Sequence, residues 1–164
     1  MKLLYVLISI VLLLSCNGCK KRFSSDLVGQ RLPSFDLVLA DSITKLNTGN
    51  LSSEIPFILF LYQPYCPYCQ AVTRNIIKEM HFFKNVRIYM ITSYSFTLIK
   101  RYTKLFGLEK YPNVVMVRDS AQQLETYLKV PGIPYLAYYD RQRRLQKVIL
   151  GEVDLGTLRE LVAN

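Results

Sequence analysis

Hydrophobic residues fall along this chain in blocks whose spacing alternates between strand-like and helix-like periods. Pro56 to Tyr62 (PFILFLY) is an unbroken apolar run of strand length, the pattern of a strand buried on both faces. Cys69, Val72, Ile76, Met80 and Phe83 then recur every three or four residues, which predicts a helix over about 67–83 with that stripe inward. Val86 to Thr92 reads as a second buried strand. Phe96, Ile99, Tyr102 and Leu105 or Phe106 mark a second helix that Gly107 stops. Val114 to Val117 is a short strand, and Asp119 or Ser120 can cap a helix carrying Leu124, Leu128 and Val130. Tyr135 to Tyr139, a turn over Asp140 to Arg143, and Leu145 to Leu150 form a hairpin, after which Asp154 caps a last helix with Leu155, Leu158, Leu161 and Val162. Upstream, Phe35 to Leu39 and Ile43 to Leu46 form another hairpin, broken at Ala40-Asp41-Ser42. Strands alternating with helices predict an α/β sandwich around a central mixed sheet. Residues 16–30 are polar and aperiodic, a tether ahead of one domain at 31–164.

The first residues follow neither period. Met1-Lys2 precede Leu3 to Leu14, a run in which only Ser9 is polar. A bilayer-spanning helix needs about 20 apolar residues, so this shorter run, cut off by Asn17-Gly18 and Lys20-Lys21-Arg22, reads as a secretory signal over 1–15. Leu13-Leu14-Ser15-Cys16 resembles the lipobox of bacterial lipoproteins, with Cys19 as a second, poorer fit. That resemblance implies lipid on Cys16 and a domain held at the bacterial cell envelope, facing the periplasm or the exterior.

Composition narrows the chemistry. With 51% apolar and 20% charged residues, the 164-residue chain can build a core, which excludes a disordered class. Four cysteines are too few for a disulfide-stapled scaffold, and one histidine, His81, is too few for a His-based metal centre. The net charge of +9 has two concentrations. Lys20, Lys21 and Arg22 suit anionic head groups. Arg141, Arg143, Arg144 and Lys147 read first as a solvated hairpin and second as a docking patch. No nucleic-acid partner and no cofactor are expected.

The chemistry-bearing segment is Tyr62-Gln-Pro-Tyr-Cys66-Pro-Tyr-Cys69. A Cys-x-x-Cys directly after a buried strand, opening an amphipathic helix, is a specific arrangement. It places Cys66 at the helix start, where unpaired N–H groups and the helix dipole favour a thiolate. Pro67 suits the first helical turn, since its missing N–H has no helical partner to lose. Cys69 follows one turn later, close enough to form a disulfide with Cys66. A zinc site is the competing reading, but Cys16, Cys19 and His81 are poorly placed to complete four ligands. A structural disulfide is the other, and so small a ring restrains little chain entropy.

Further along, Val130-Pro-Gly132-Ile133-Pro134-Tyr-Leu-Ala-Tyr-Tyr139 resembles the segment of thioredoxin-fold proteins that carries the cis-proline. The order of strand, Cys-Pro-Tyr-Cys, helix, strand, helix, Gly-Ile-Pro, strand, hairpin and helix is similar to that superfamily. The front end, Gly29 to Tyr62, resembles TlpA-like and AhpC/TSA-type redoxins, as does an extra strand and helix at about Val114 to Leu128. The resemblance covers about 27–164 and implies a thioredoxin-like three-layer sandwich with an added N-terminal β-hairpin. It further implies a thiol–disulfide oxidoreductase acting on protein disulfides, with a membrane or periplasmic electron donor. Residue by residue, Cys66 matches the attacking thiol, Cys69 the resolving thiol and Pro134 the cis-proline. Ile133 matches the residue whose backbone pairs with a substrate strand. Tyr65 stands where a tryptophan is usual, and Tyr62, Tyr65, Tyr68 and Tyr135 are expected to form an aromatic rim.

Three positions depart from the pattern. Phe60 replaces a buried aspartate, Tyr65 replaces the tryptophan, and Val72 replaces an acid found in TlpA-like relatives. No side chain is thereby assigned to take the Cys69 proton. The Cys-Pro-Tyr-Cys tetrad also matches glutaredoxins, but the stretch after Pro134 does not. A peroxiredoxin would need Pro and Thr or Ser where Leu59 and Gln63 stand. The non-enzymatic alternative is a lipid-anchored binding module on the same scaffold, able to lose both cysteines.

Overall fold

A computed structural model describes residues 23–51 and 53–163. The signal segment expected over 1–15, Cys16 and Cys19 lie outside these residues. The described chain forms a seven-stranded mixed sheet: β1 (Asp36–Leu39), β2 (Lys45–Asn47), β3 (Phe57–Leu61), β4 (Arg87–Thr92), β5 (Val114–Arg118), β6 (Tyr135–Tyr139) and β7 (Leu145–Leu150), ordered β2-β1-β5-β4-β3-β6-β7. β3, β4 and β5 run parallel, whereas β6 lies antiparallel to β3 and continues into the β6–β7 hairpin. Four helices accompany them: α1 (Pro67–Lys78), α2 (Phe96–Phe106), α3 (Gln123–Tyr127) and α4 (Leu155–Val162).

The apolar run forms β3, an interior strand between β4 and β6, and all five of its residues are buried. Alternation along a strand sends neighbours to opposite faces. Ile58 and Phe60 join one core with α1, α2 and α4, through Val72, Ile76, Ile99, Tyr102, Leu158 and Leu161. Phe57, Leu59 and Leu61 join the other with Leu124, Leu128, Leu37 and Leu51. The three-layer sandwich and its N-terminal hairpin are therefore present as expected.

Three local expectations differ. The helix expected to reach residue 83 ends at Lys78, and Met80–Phe83 form a separate 3-10 turn. The break serves Glu79, a buried carboxylate whose two oxygens accept from Arg159 of α4 at 2.9 and 2.8 Å. Asn113 anchors the far side of the turn through the carbonyls of Phe83 and Val86, at 2.9 and 3.1 Å. Second, α3 stops at Tyr127, short of Val130, because Lys129 turns left-handed at φ 50°. Asp119 caps this helix from outside it: Gln123 and Leu124 donate their N–H groups to its two carboxylate oxygens, at 3.0 and 2.8 Å.

Third, residues 23–30, counted in the tether, lie on the domain. Phe23 meets Tyr135 edge-on at 6.0 Å, Asp26 pairs with Lys129 at 2.6 Å, and Gly29 N–H donates to the Leu145 carbonyl at 2.7 Å. The segment mixes Phe23, Leu27 and Val28 with polar residues in no regular period, and leaves Phe23 and Val28 exposed, so hydrophobic periodicity gave no sign of this docking.

Because Asp119 is buried and satisfies two helix-start N–H groups at once, Asp119→Ala leaves both without a partner. A loss of about 1–2 kcal/mol is expected, read as a lower urea midpoint, with Asp119→Asn losing less. Equal midpoints for Asp119→Ala and the parent would show that the cap is dispensable.

Candidate active site

β3 delivers the chain to the site. Tyr62 is held to β4 by its N–H, which donates to the Ile91 carbonyl at 3.0 Å. The next residues turn tightly, with Cys66 N–H donating to the Gln63 carbonyl at 3.1 Å, and Gln70 Nε2 ties Pro64 back to the helix at 3.0 Å. Cys66 is the cap residue of α1, and Pro67 follows in its first turn. The Cys66 Sγ accepts the Cys69 N–H at 3.3 Å, in the manner of a capping oxygen. That N–H and the open first turn direct positive charge at the sulfur, an arrangement suited to a nucleophilic thiolate.

The two thiols are free and lie at different depths. Cys66 is partly exposed, whereas Cys69 is fully buried among Val72, Tyr62 and Tyr102. Burial pushes the Cys69 thiol well above the usual thiol range, and its hydrogen bond with the Cys66 sulfur adds to that. No carboxylate or amine figures among the groups acting on Cys69. Phe60 and Val72, at the positions where an acid was sought, are both completely buried. A polar group nonetheless sits behind Cys69. The Thr73 hydroxyl donates to the Cys69 carbonyl at 2.9 Å and lies 2.7 Å from the Tyr102 hydroxyl, which is itself 3.3 Å from that carbonyl. Tyr62 packs its ring on Tyr102 at 4.6 Å, and its buried hydroxyl has no hydrogen-bond partner among the described residues. Burial raises the pKa of both phenols, so both stay neutral.

Sequence reading missed Thr73 and Tyr102. The available signal was position: Thr73 stands one turn after Cys69, and Tyr102 is on the apolar face of α2, where it passed for core.

Pro134 follows Ile133 through a cis peptide bond and precedes β6. Tyr135 pairs with Leu61, so the same register carries Pro134 opposite Tyr62, at the start of the Cys66 loop. Ile133 is half-buried against the core that holds Cys66. It lines a shallow cleft with Tyr62, Gln63, Thr92, Ser93, Asp119 and others. The aromatic rim differs from expectation. Tyr65 and Tyr68 are 65% and 57% exposed, but Tyr62 and Tyr135 are buried at 2% and 0%. Tyr62 faces inward at the end of β3, and Tyr135 faces the opposite core beneath Phe23. Tyr94 takes the vacant place, edge-on to Tyr65 at 6.3 Å.

A thiol whose pKa is raised stays protonated, and so unreactive, until the pH rises toward that higher value. Iodoacetamide near neutral pH is therefore expected to modify Cys66 well before Cys69, as read by peptide mass spectrometry. Cys69 labelling should grow only as the solution is made strongly alkaline. Earlier labelling of Cys69 would reverse the assignment of roles.

No protein-family model matches this chain, and no curated protein matches it. Solved structures do resemble it. A secreted Mycobacterium tuberculosis disulfide oxidoreductase, described as homologous to E. coli DsbE, superposes with a TM-score of 0.66. The match covers 78% of this chain and 93% of that one, at 15% identity. A thioredoxin-like protein from Aeropyrum pernix matches with a TM-score of 0.64 over 79% and 88%, at 17% identity. AhpC from Enterococcus faecalis matches with a TM-score of 0.65 over 82% and 90%, at 18% identity. The fold of this chain is the thioredoxin-like α/β sandwich, carried on a mixed sheet with the β1–β2 hairpin at its edge.

Proposed function

We propose that the chain is a thiol–disulfide oxidoreductase that reduces or exchanges protein disulfides through Cys66 and Cys69. The observation that carries this reading is the helix-capping position of Cys66, partly exposed, with Cys69 buried directly behind it. The Cys66 thiolate attacks one sulfur of a substrate disulfide; the substrate's second sulfur leaves as a thiolate and takes a proton from water. Cys69 then loses its proton and attacks the Cys66 sulfur. That step releases the other substrate thiol and leaves a Cys66–Cys69 disulfide. Two electrons have passed to the substrate, and an external dithiol donor in the membrane or periplasm restores the pair. Ile133 offers its backbone to an extended substrate segment beside cis-Pro134, and Tyr65, Tyr68 and Tyr94 provide apolar contact around Cys66.

Peroxide reduction is not part of this reading. Leu59 is buried in the middle of β3 and Gln63 lies in the turn, so neither supplies the Pro and Thr or Ser of a peroxidatic site. The likeness to AhpC is one of fold.

A Cys69→Ser chain is expected to accumulate mixed disulfides with its substrates through Cys66, resolved on non-reducing gels, whereas a binding module would accumulate none. The Pro-Tyr pair between the cysteines, shared with glutaredoxins, points to a potential of roughly −200 to −230 mV. The reducing direction also fits the short span between Phe83 and Pro134, which leaves no room for the large helical insertion of strong oxidants. A titrated potential of about −120 mV, with the chain oxidising unfolded substrates, would replace reduction by oxidation.

The membrane tether is proposed on the Leu-Leu-Ser-Cys16 sequence alone. Cys16→Ser is expected to move the chain out of the membrane fraction or leave it unprocessed. A normally processed, membrane-bound Cys16→Ser chain would assign the anchor to Cys19 or elsewhere.

A further inference from the structure

The sequence concentrates arginines in the β6–β7 turn, and the redox reading makes no use of them. In the fold they meet a fourth arginine from the N-terminal segment. A cleft of about 560 Å³ is lined by Arg31, Arg141, Arg143 and Arg144, with Gly49 to Leu51, Ser53 and Gln142. It lies at the end of the sheet away from Cys66. Tyr139, which leads into the turn, pairs with Phe57 at the start of β3, while Cys66 lies beyond Leu61 at the other end.

Two of the arginines build the cleft. Arg143, left-handed at φ 61°, donates Nη1 to the carbonyls of Thr48 and Gly49 across the opening. Arg144 donates Nη1 to the Gly29 carbonyl at 3.1 Å, and its backbone bridges to that of Arg31. The other two, Arg31 and Arg141, have guanidinium groups with no hydrogen bond or ion pair to any described residue; the Tyr127 hydroxyl reaches only the backbone carbonyl of Arg31. The acid nearest in sequence, Asp140, does not neutralise them. Its two oxygens accept from the Arg144 N–H at 2.8 Å and from Gln146 at 2.6 Å, and no acid is among the described residues that line the cleft. Four guanidinium groups converging on one concave surface repel one another unless an anion sits among them. Their planar forks suit oxyanions that accept paired hydrogen bonds.

We propose that this cleft binds a phosphate group, held by Arg31 and Arg141 on a frame set by Arg143 and Arg144. The cleft exceeds a bare phosphate in size, so the group can belong to a soluble phosphate ester or to a phospholipid head group. Ser53 and Asn50 are on hand for its hydroxyls.

The test is calorimetric titration of the full chain with inorganic phosphate, with glycerol 3-phosphate and with water-soluble dihexanoyl phosphatidylglycerol. At least one is expected to bind, with affinity falling as salt is raised. Arg31→Gln with Arg141→Gln should weaken that binding about tenfold or more, since two charge-assisted contacts are lost. Lys100→Gln with Lys104→Gln, which removes the same charge from the exposed face of α2, should not. Binding of the lipid analogue alone assigns a head group, and binding of the free phosphates assigns a soluble source. On the unaltered chain, the bound probe should also protect Arg31 and Arg141 from phenylglyoxal, mapped by mass spectrometry. Failure of all three probes to bind, equal loss in both double variants, or no protection would overturn the proposal.

Discussion

β3 carries five apolar side chains in succession and lies inside the sheet between β4 and β6, with both faces covered, so it has no face that water can reach. Such a strand is stable only when both edges and both faces are covered at once. β4 and β6 close the edges. Ile58 and Phe60 require α1, α2 and α4 on one side, while Phe57, Leu59 and Leu61 require the N-terminal segment and α3 on the other. The C-terminal end of β3 is consequently among the most firmly located points in the chain. Tyr62 extends that fixation by bonding to Ile91, and only three residues separate it from the cysteine that caps α1. A site on such a mount needs no further adjustment to present Cys66 at the surface.

The difference between the two thiols follows from depth. Three residues apart at the start of a helix, one sulfur lies at the cap and the other on the inward stripe. The inward one is surrounded by Val72, two neutral phenols and a threonine that bonds its carbonyl, with no carboxylate or amine acting on it. Burial alone is then sufficient to keep Cys69 protonated while Cys66 stands at the positive end of α1. A buried carboxylate would hold a charge where desolvation is costly. Phe60 and Val72 avoid that cost and pack the sheet and helix instead, and the Cys69 proton has to leave by way of water or the exchanging sulfurs.

Much of this was legible in the sequence because it depends on composition over short windows. The PFILFLY run, the three-to-four spacing after Cys69, the Gly107 stop and the Asp154 cap each express a local rule, and the structure contains each. What escaped depends on contacts between distant segments. Glu79 looks like any polar residue on a helix, and its burial is offset chiefly by the ion pair with Arg159, 80 residues on. Tyr62 and Tyr135 read as rim residues because tyrosine tolerates both settings. Their burial is decided by the face on which each strand position falls. The docking of residues 23–30 rests on Lys129, Tyr135 and Leu145, none of which the local pattern could name.

That docked segment also fixes where the proposed anchor meets the domain. Phe23 touches Tyr135, and Tyr135 pairs with Leu61, so the N-terminal segment reaches the sheet at its redox end. Only residues 16–22 then separate a lipid on Cys16 from Phe23, and seven residues span at most about 25 Å. A lipid on Cys16, as proposed, would keep Cys66 close to the bilayer surface, within reach of the proposed membrane-held electron donor. The segment continues past Gly29 to Arg31, and the arginine cleft opens at the other end of strands that are about 13 Å long for four residue steps. Under that proposed anchoring the redox end would turn toward the membrane and the cleft away from it. On this geometry a soluble phosphate has the freer approach, and a head group can occupy the cleft only if the domain tips over on its tether.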